Sequence, residues 1–185
     1  MDIYKSLEGG RAVEERYRAF LERWPVPNEQ LRIPTGEGET FVVACGPESA
    51  PPLLLFHGAG TNSTMWMGDV TMWCAQFRVY AVDLIGEPGL SAPSGPRLNS
   101  EAHAFWLDDV LQGLSLRRAS LLGASLGGWL APDYATRRPG GPGFAVSRGS
   151  GPAEGKLPYE GVAAAASGPL GTQEGIPDRT RSAAG

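Results

Sequence analysis

The chain has 185 residues, a formal net charge of −4 and a hydrophobic fraction of 42%, enough for one domain with a real core. Mild acidity argues against nucleic acid as a partner, because phosphate recognition needs a basic face, and no basic block is present to bind an anionic membrane. No run approaches the length of a membrane span, and Met1 to Gly10 shows no apolar stretch preceded by basic residues. A soluble cytoplasmic protein is therefore expected.

In chain order, Val13, Tyr17, Phe20, Leu21 and Trp24 recur at helical spacing, and Pro25 ends that helix. Residues 1–27 are read as an N-terminal helix and linker. Leu31 to Ile33 and Phe41 to Cys45 form two short strands around a Gly36-Glu37-Gly38 turn. The two cysteines, Cys45 and Cys74, sit among apolar neighbours and read as buried free thiols rather than a disulfide. Three continuous apolar runs follow: Pro52 to Phe56, Val79 to Val82, and Ala119 to Leu122. Such runs suit strands buried on both faces, as in a parallel sheet covered by helices. Each is followed by a helical segment, the clearest after Ser100, a plausible N-cap. There Leu107, Val110, Leu111 and Leu114 make an apolar stripe, and Asp108 and Asp109 are expected on the solvated side. Strand, helix, strand, helix implies an α/β domain with right-handed crossovers over residues 28–139.

Beyond Pro139 the composition changes. Residues 140–185 hold eleven Gly and five Pro, with Phe144 and Tyr159 as the only aromatics. That composition offers little to bury, so a disordered tail is expected. Its Gly, Pro, Ala and Arg content is also what a GC-rich gene yields out of frame, so a truncated or frameshifted product is a second expectation.

Chemistry concentrates at the ends of the three apolar runs, where open α/β sheets bind ligands. Gly123-Ala124-Ser125-Leu126-Gly127-Gly128 follows a strand and opens a helix. This is a G-x-S-x-G nucleophile elbow: glycines two residues either side of the serine remove side chains that a tight, strained turn cannot hold. The serine hydroxyl then lies at a helix N-terminus, where the dipole favours developing negative charge. A Gly-rich strand-to-helix turn can also cradle phosphate, but this spacing is neither a P-loop nor a dinucleotide fingerprint. The first run ends in His57-Gly58-Ala59-Gly60-Thr61-Asn62, and the second in Asp83-Leu84-Ile85-Gly86-Glu87-Pro88-Gly89-Leu90-Ser91.

Over roughly Leu31 to Pro139, these three motifs in this order resemble the α/β-hydrolase superfamily, in particular its esterase- and lipase-like bacterial members. The resemblance implies an α/β-hydrolase-type, mostly parallel sheet with helices on both faces, incomplete in this chain. It implies Ser125 as catalytic nucleophile, backbone N–H groups of Ala59 and Leu126 as oxyanion hole, Gly123 and Gly127 as elbow glycines, and His57 and Gly58 as a structural turn. It implies no metal, no cofactor, and a small-molecule ester as the parent's substrate; it specifies no oligomeric state. Thioesterase, amidase or haloperoxidase-like chemistry on the same fold is equally compatible.

The chain departs from the family in two respects, the triad residues after the elbow and Pro132. A triad in this fold runs Ser, then Asp or Glu, then His, and no histidine follows Ser125. The two histidines are His57, at the strand end, and His103, expected on a solvated helix face. Asp83 is expected to order its own loop, and Asp133, Glu154, Glu160, Glu174 and Asp178 follow no strand-like run. Pro132 is expected to lie inside the helix after Ser125, at a cost of about 3 kcal/mol. The expected function is carboxylesterase-like acyl-ester hydrolysis, impaired for want of the triad acid and histidine. The alternative is a non-catalytic pseudoenzyme or interaction fragment, whose exposed apolar edge would favour association.

Overall fold

In a computed structural model, residues 3–139 and the backbone of a strand at 145–148 are described. Helix α1 (Leu7–Leu21) starts where the Ser6 hydroxyl accepts the Gly9 N–H at 3.0 Å, an N-cap bond that satisfies one orphan donor of the first turn. β1 (Asn28–Thr35) and β2 (Gly38–Cys45) form an antiparallel hairpin paired Asn28 with Cys45 through Thr35 with Gly38. Gly38 has φ +103°, the left-handed backbone this tight turn requires.

β3 (Pro52–Phe56), β4 (Arg78–Val82), β5 (Ser120–Ala124) and β6 (Ala145–Arg148) are mutually parallel where they pair, and the six-stranded sheet has the order β1-β2-β4-β3-β5-β6. A 3-10 turn (Ser63–Trp66) and the short α2 (Val70–Trp73) connect β3 to β4. Helix α3 (Ala102–Gly113) carries the chain from β4 across to β5, and α4 (Leu126–Arg137) follows β5.

Strand alternation divides the core between the two faces. Phe41, Val43, Leu53, Leu55, Val79 and Ala81 pack with Tyr17, Leu21 and Trp24 of the α1 region and with Trp66, Val70 and Trp73. Helix α1 thus shares a core with the sheet. The alternate residues Val42, Leu54, Phe56, Val82 and Leu121 pack under Trp106, Leu107 and Val110 of α3 and Leu130, Ala131 and Tyr134 of α4.

Three local expectations change. α3 begins at Ala102 rather than directly after Ser100, although the Ser100 hydroxyl still accepts the Ala102 N–H at 3.3 Å. Asp108 and Asp109 are not a solvated face. Asp108 accepts from the Tyr134 hydroxyl at 2.9 Å and pairs with Arg138 at 2.8 Å, while Asp109 accepts the Gly36 N–H at 2.8 Å. These bonds tie α3 to α4 and to the hairpin turn, because each carboxylate faces donors on a neighbouring element.

Residues 140–185 were expected to lack regular structure. β6 falls among them and pairs in parallel with β5, from Leu121 with Ala145 to Ala124 with Arg148. The rest of that expectation lies outside the described residues. Pro132 is inside α4 as expected, with the helix running through it to Arg137.

Candidate active site

β3 lies between β4 and β5, so the chain leaves it towards β4 and later returns on its other side. The carboxyl ends of β3 and β5 therefore flank the point where strand order reverses, the place where α/β sheets form a crevice. The register sets Phe56 opposite Gly123. This brings the His57–Thr61 turn beside the elbow at Ser125.

Two close approaches explain the glycines. A Cβ on Gly123 would stand 2.0 Å from the Gly127 carbonyl oxygen, and one on Gly127 would stand 2.2 Å from the Phe56 carbonyl oxygen. Neither neighbour is a side chain that can rotate away. The Gly127 N–H donates to the His57 carbonyl at 3.2 Å, clamping the start of α4 to the end of β3. Between the glycines Ser125 takes φ 50° and ψ −110°. A non-glycine residue in such backbone costs on the order of 1–3 kcal/mol and persists only where its surroundings over-determine it. Ser125 is exposed, and Gly58 sits so close that a Cβ there would be 3.4 Å from the Ser125 Cβ.

His57 is fully buried, and burial pushes its pKa down. Its Nε2 accepts the Leu84 N–H at 2.9 Å, which leaves Nδ1 protonated and 2.9 Å from the Gly58 carbonyl. A ring with one nitrogen accepting and the other donating is neutral, and both its nitrogens are engaged. Thr61 closes the turn by donating from Oγ1 to the Gly58 carbonyl at 2.7 Å, and Gly60 adopts φ +71°. Among the described residues, the N–H groups of Ala59 and Leu126 have no acceptor.

The loop after β4 holds this turn in place. The Asp83 carboxylate is fully buried and accepts from Ser63 N–H (2.9 Å), Ser63 Oγ (2.6 Å), Tyr17 Oη (2.9 Å) and Leu90 N–H (2.9 Å). Glu87 accepts the Gly60 N–H at 2.6 Å, and the Asn62 amide donates to the Pro88 carbonyl at 2.9 Å. Asp83 thus orders its own loop through Leu90 and also anchors α1 and the segment after the turn. The sequence motif names Asp83, but its partners Tyr17 and Ser63 come from separate elements and carry no spacing signal.

The comparisons with known proteins agree with this geometry. The family model described as Alpha/beta hydrolase family matches residues 53–184. The chain is 37% identical over 136 residues to carboxylesterase YbfK of Bacillus subtilis (strain 168), covering 74% of this chain and 46% of that protein. It is 38% identical over 132 residues to the uncharacterized carboxylesterase nap of the same organism, covering 71% and 44%. Among solved structures, carboxylesterase CesB (YbfK) from Bacillus subtilis superposes with a TM-score of 0.71 at 36% identity, covering 76% of this chain and 50% of that one. Naproxen esterase from Bacillus subtilis gives 0.67 at 35% identity, covering 77% and 50%.

The chain belongs to the alpha/beta hydrolase family.

It spans about half the length of the curated relatives it matches. The alpha/beta hydrolase match also runs past Pro139 to residue 184, further than the resemblance visible in the motifs. Of the residues singled out in the sequence, the structure brings together Gly58, Gly123, Ser125 and Gly127 where β3 and β5 end, with Ala59 and Leu126 next to them in the chain and the His57 carbonyl bonded to Gly127. His103 is placed differently from expectation. It is buried on α3 with its ring edge-on to Trp129 at 6.4 Å, its Nδ1 lacks a partner among the described residues, and burial pushes its pKa down. Packing of α3 against α4 covers the first turn of α3, which a helical-wheel reading treats as solvent. Among the described residues neither imidazole is hydrogen-bonded to Ser125. Also among them, no three His, Cys, Asp or Glu side chains gather in a way that could hold a metal ion, and no helix is long and apolar enough to cross a membrane.

Proposed function

We propose that this chain carries the nucleophile and oxyanion half of a carboxylesterase-type serine hydrolase acting on small-molecule esters. Ser125 is the nucleophile, and the backbone N–H groups of Ala59 and Leu126 receive the oxyanion. The observation that carries this reading is the strained, exposed Ser125 at the β5–α4 turn, with the Gly58 backbone packed against it. Attack by Oγ on an ester carbonyl develops charge on the carbonyl oxygen, and each preorganised donor is worth about 3–4 kcal/mol there. The similarity to two Bacillus subtilis carboxylesterases supports an ester rather than another acyl substrate.

These residues alone leave Ser125 without a base. No histidine follows Ser125 within these 185 residues, His57 spends both ring nitrogens in its turn, and His103 faces Trp129. Ester turnover by the chain by itself is therefore impaired, by about 10⁶-fold if the loss equals that of removing a triad base. The same observation favours a second reading, a non-catalytic protein that keeps the elbow for its fold. Labelling with a fluorophosphonate separates the two. Covalent label on Ser125 that disappears in Ser125→Ala supports the assembled nucleophile. Equal label on both proteins would leave the elbow as a structural turn.

A further inference from the structure

Cys45 and Cys74 lie outside the crevice, and the hydrolase reading gives them no role. Cys45 ends β2, opposite Val79 of β4, and Cys74 caps the C-terminus of α2. Their sulfurs are 3.3 Å apart, closer than two non-bonded sulfurs comfortably pack, while the residues are 29 apart in sequence. The approach is built by Gly46. At φ +87° it turns the chain sharply after β2, and a Cβ there would stand 3.4 Å from both Cα and Sγ of Cys74 and 2.3 Å from the Phe77 carbonyl oxygen. Absence of that Cβ lets the end of α2 lie directly on the end of β2. Both thiols are free, Cys45 buried and Cys74 half-buried.

We propose that Cys45 and Cys74 form a latent disulfide site, closed by exchange with a low-molecular-weight disulfide. A bond needs the sulfurs to close from 3.3 Å to about 2.05 Å. The accessible Cys74 thiolate attacks the small disulfide, forming a mixed disulfide and expelling one thiolate. Cys45, as thiolate, then attacks the Cys74 sulfur and expels the second. Two protein thiols are oxidised, one disulfide is reduced to two thiols, and the two protons pass to the leaving thiolates. The closed loop contains β3, the His57–Thr61 turn and the segment anchored by Asp83. Oxidation ties that whole segment to the sheet. Burial pushes the Cys74 thiol up to about 12 and raises Cys45 as well, while Arg78, bonded to the Gly46 carbonyl at 2.9 Å, acts in the opposite direction on both. Exchange is therefore slow at neutral pH and accelerates about tenfold per pH unit as the thiolate fraction grows.

The test is incubation of the full chain with oxidised glutathione under native, mildly alkaline conditions, read by intact mass and free-thiol titration. The expected product is a monomer lighter by two hydrogen atoms, with both thiols lost and recovered on reduction, and with a higher denaturation midpoint than the reduced chain. Cys45→Ala is expected to stop at one glutathione on Cys74, and Cys74→Ala to stay unmodified because Cys45 is buried. A wild-type product that keeps glutathione on Cys74, or that closes the bond only in denaturant, would overturn the proposal. The wild-type masses decide the matter even if a variant does not fold.

Discussion

Tyr17→Phe isolates the contribution of one buried hydrogen bond to the architecture beneath the crevice. Tyr17 is 2% exposed, and its hydroxyl donates to the Asp83 carboxylate at 2.9 Å, across 66 residues of sequence. Phenylalanine keeps the ring and its edge-on contact with Phe41 at 6.2 Å, so only the hydroxyl is lost. A hydrogen bond to a charged group contributes about 1.5–3 kcal/mol, and Asp83 keeps its three other donors. The expected loss is therefore about 2 kcal/mol, which at a urea m-value of about 2 kcal/mol/M lowers the midpoint by about 1 M with m unchanged. In an Asp83→Asn background the acceptor is uncharged, and the same Tyr17→Phe change is expected to cost only about 1 kcal/mol. Urea titrations of the four proteins measure both costs. A wild-type cost below about 0.5 kcal/mol, or equal costs in both backgrounds, would show that Asp83 does not anchor α1 through charge.

Gly123→Ala places a Cβ 2.0 Å from the Gly127 carbonyl oxygen, so the elbow must open; loss of fluorophosphonate labelling and a stability loss above about 3 kcal/mol are expected, read by gel fluorescence and urea titration. Pro132→Ala, at an exposed position inside α4, restores a helical N–H and is expected to raise stability by about 1–3 kcal/mol in the same titration. Burial depresses the pKa of both His57 and His103, so below their ordinary value of about 6.5 the unfolded chain binds protons that the folded chain refuses. Stability should then fall as pH drops from about 6.5, by up to about 1.4 kcal/mol per pH unit for each histidine; His103→Gln should remove one such slope, and an unchanged slope would mean His103 is solvated. Burial and the neighbouring carboxylates Asp83 and Asp108 raise Tyr17 and Tyr134 above their ordinary value, so a second loss of stability is expected as pH rises beyond about 10, smaller in Tyr17→Phe. Translating all three frames of the coding DNA across Arg137 to Gly185 checks the frameshift expectation: a second frame continuing with apolar strands, an acid and a histidine would support it, and no such frame would assign the tail to the protein.

What the sequence reveals depends on how local the cause is. The elbow is legible because its serine and both glycines lie within five residues and Gly123 must clear Gly127; the second constraint, Gly127 clearing Phe56, comes from the neighbouring strand. The strands are legible because Leu53, Leu54, Leu55 and Phe56 are buried on both faces without interruption. His103, Asp108 and Asp109 are misread for the opposite reason. They look solvated on an isolated helix, and only the packing of α3 on α4 and on the β1–β2 turn supplies Trp129, Tyr134, Arg138 and Gly36 as neighbours. β6 is hidden because Ala145-Val146-Ser147-Arg148 is four residues long between Gly-rich flanks, and its pairing with β5 is a property of the sheet edge rather than of that segment.

The same locality bears on what the crevice needs in order to form. Among the described residues, the hydrogen bonds that hold the elbow and the His57–Thr61 turn to each other and to the β4 loop join residues between Tyr17 and Gly127: Gly127 to His57, His57 to Leu84, Gly60 to Glu87, Ser63 and Tyr17 to Asp83. On the proposed reading, assembly of a strained Ser125 is thus separable from proton transfer, because these bonds belong to β3, β4, β5 and their loops, whereas the Ser–acid–His order puts the base later in the chain. A fluorophosphonate expels fluoride, which needs no proton, so on the proposed reading its reaction at Ser125 should survive to a greater degree than ester turnover, whose leaving group must receive one.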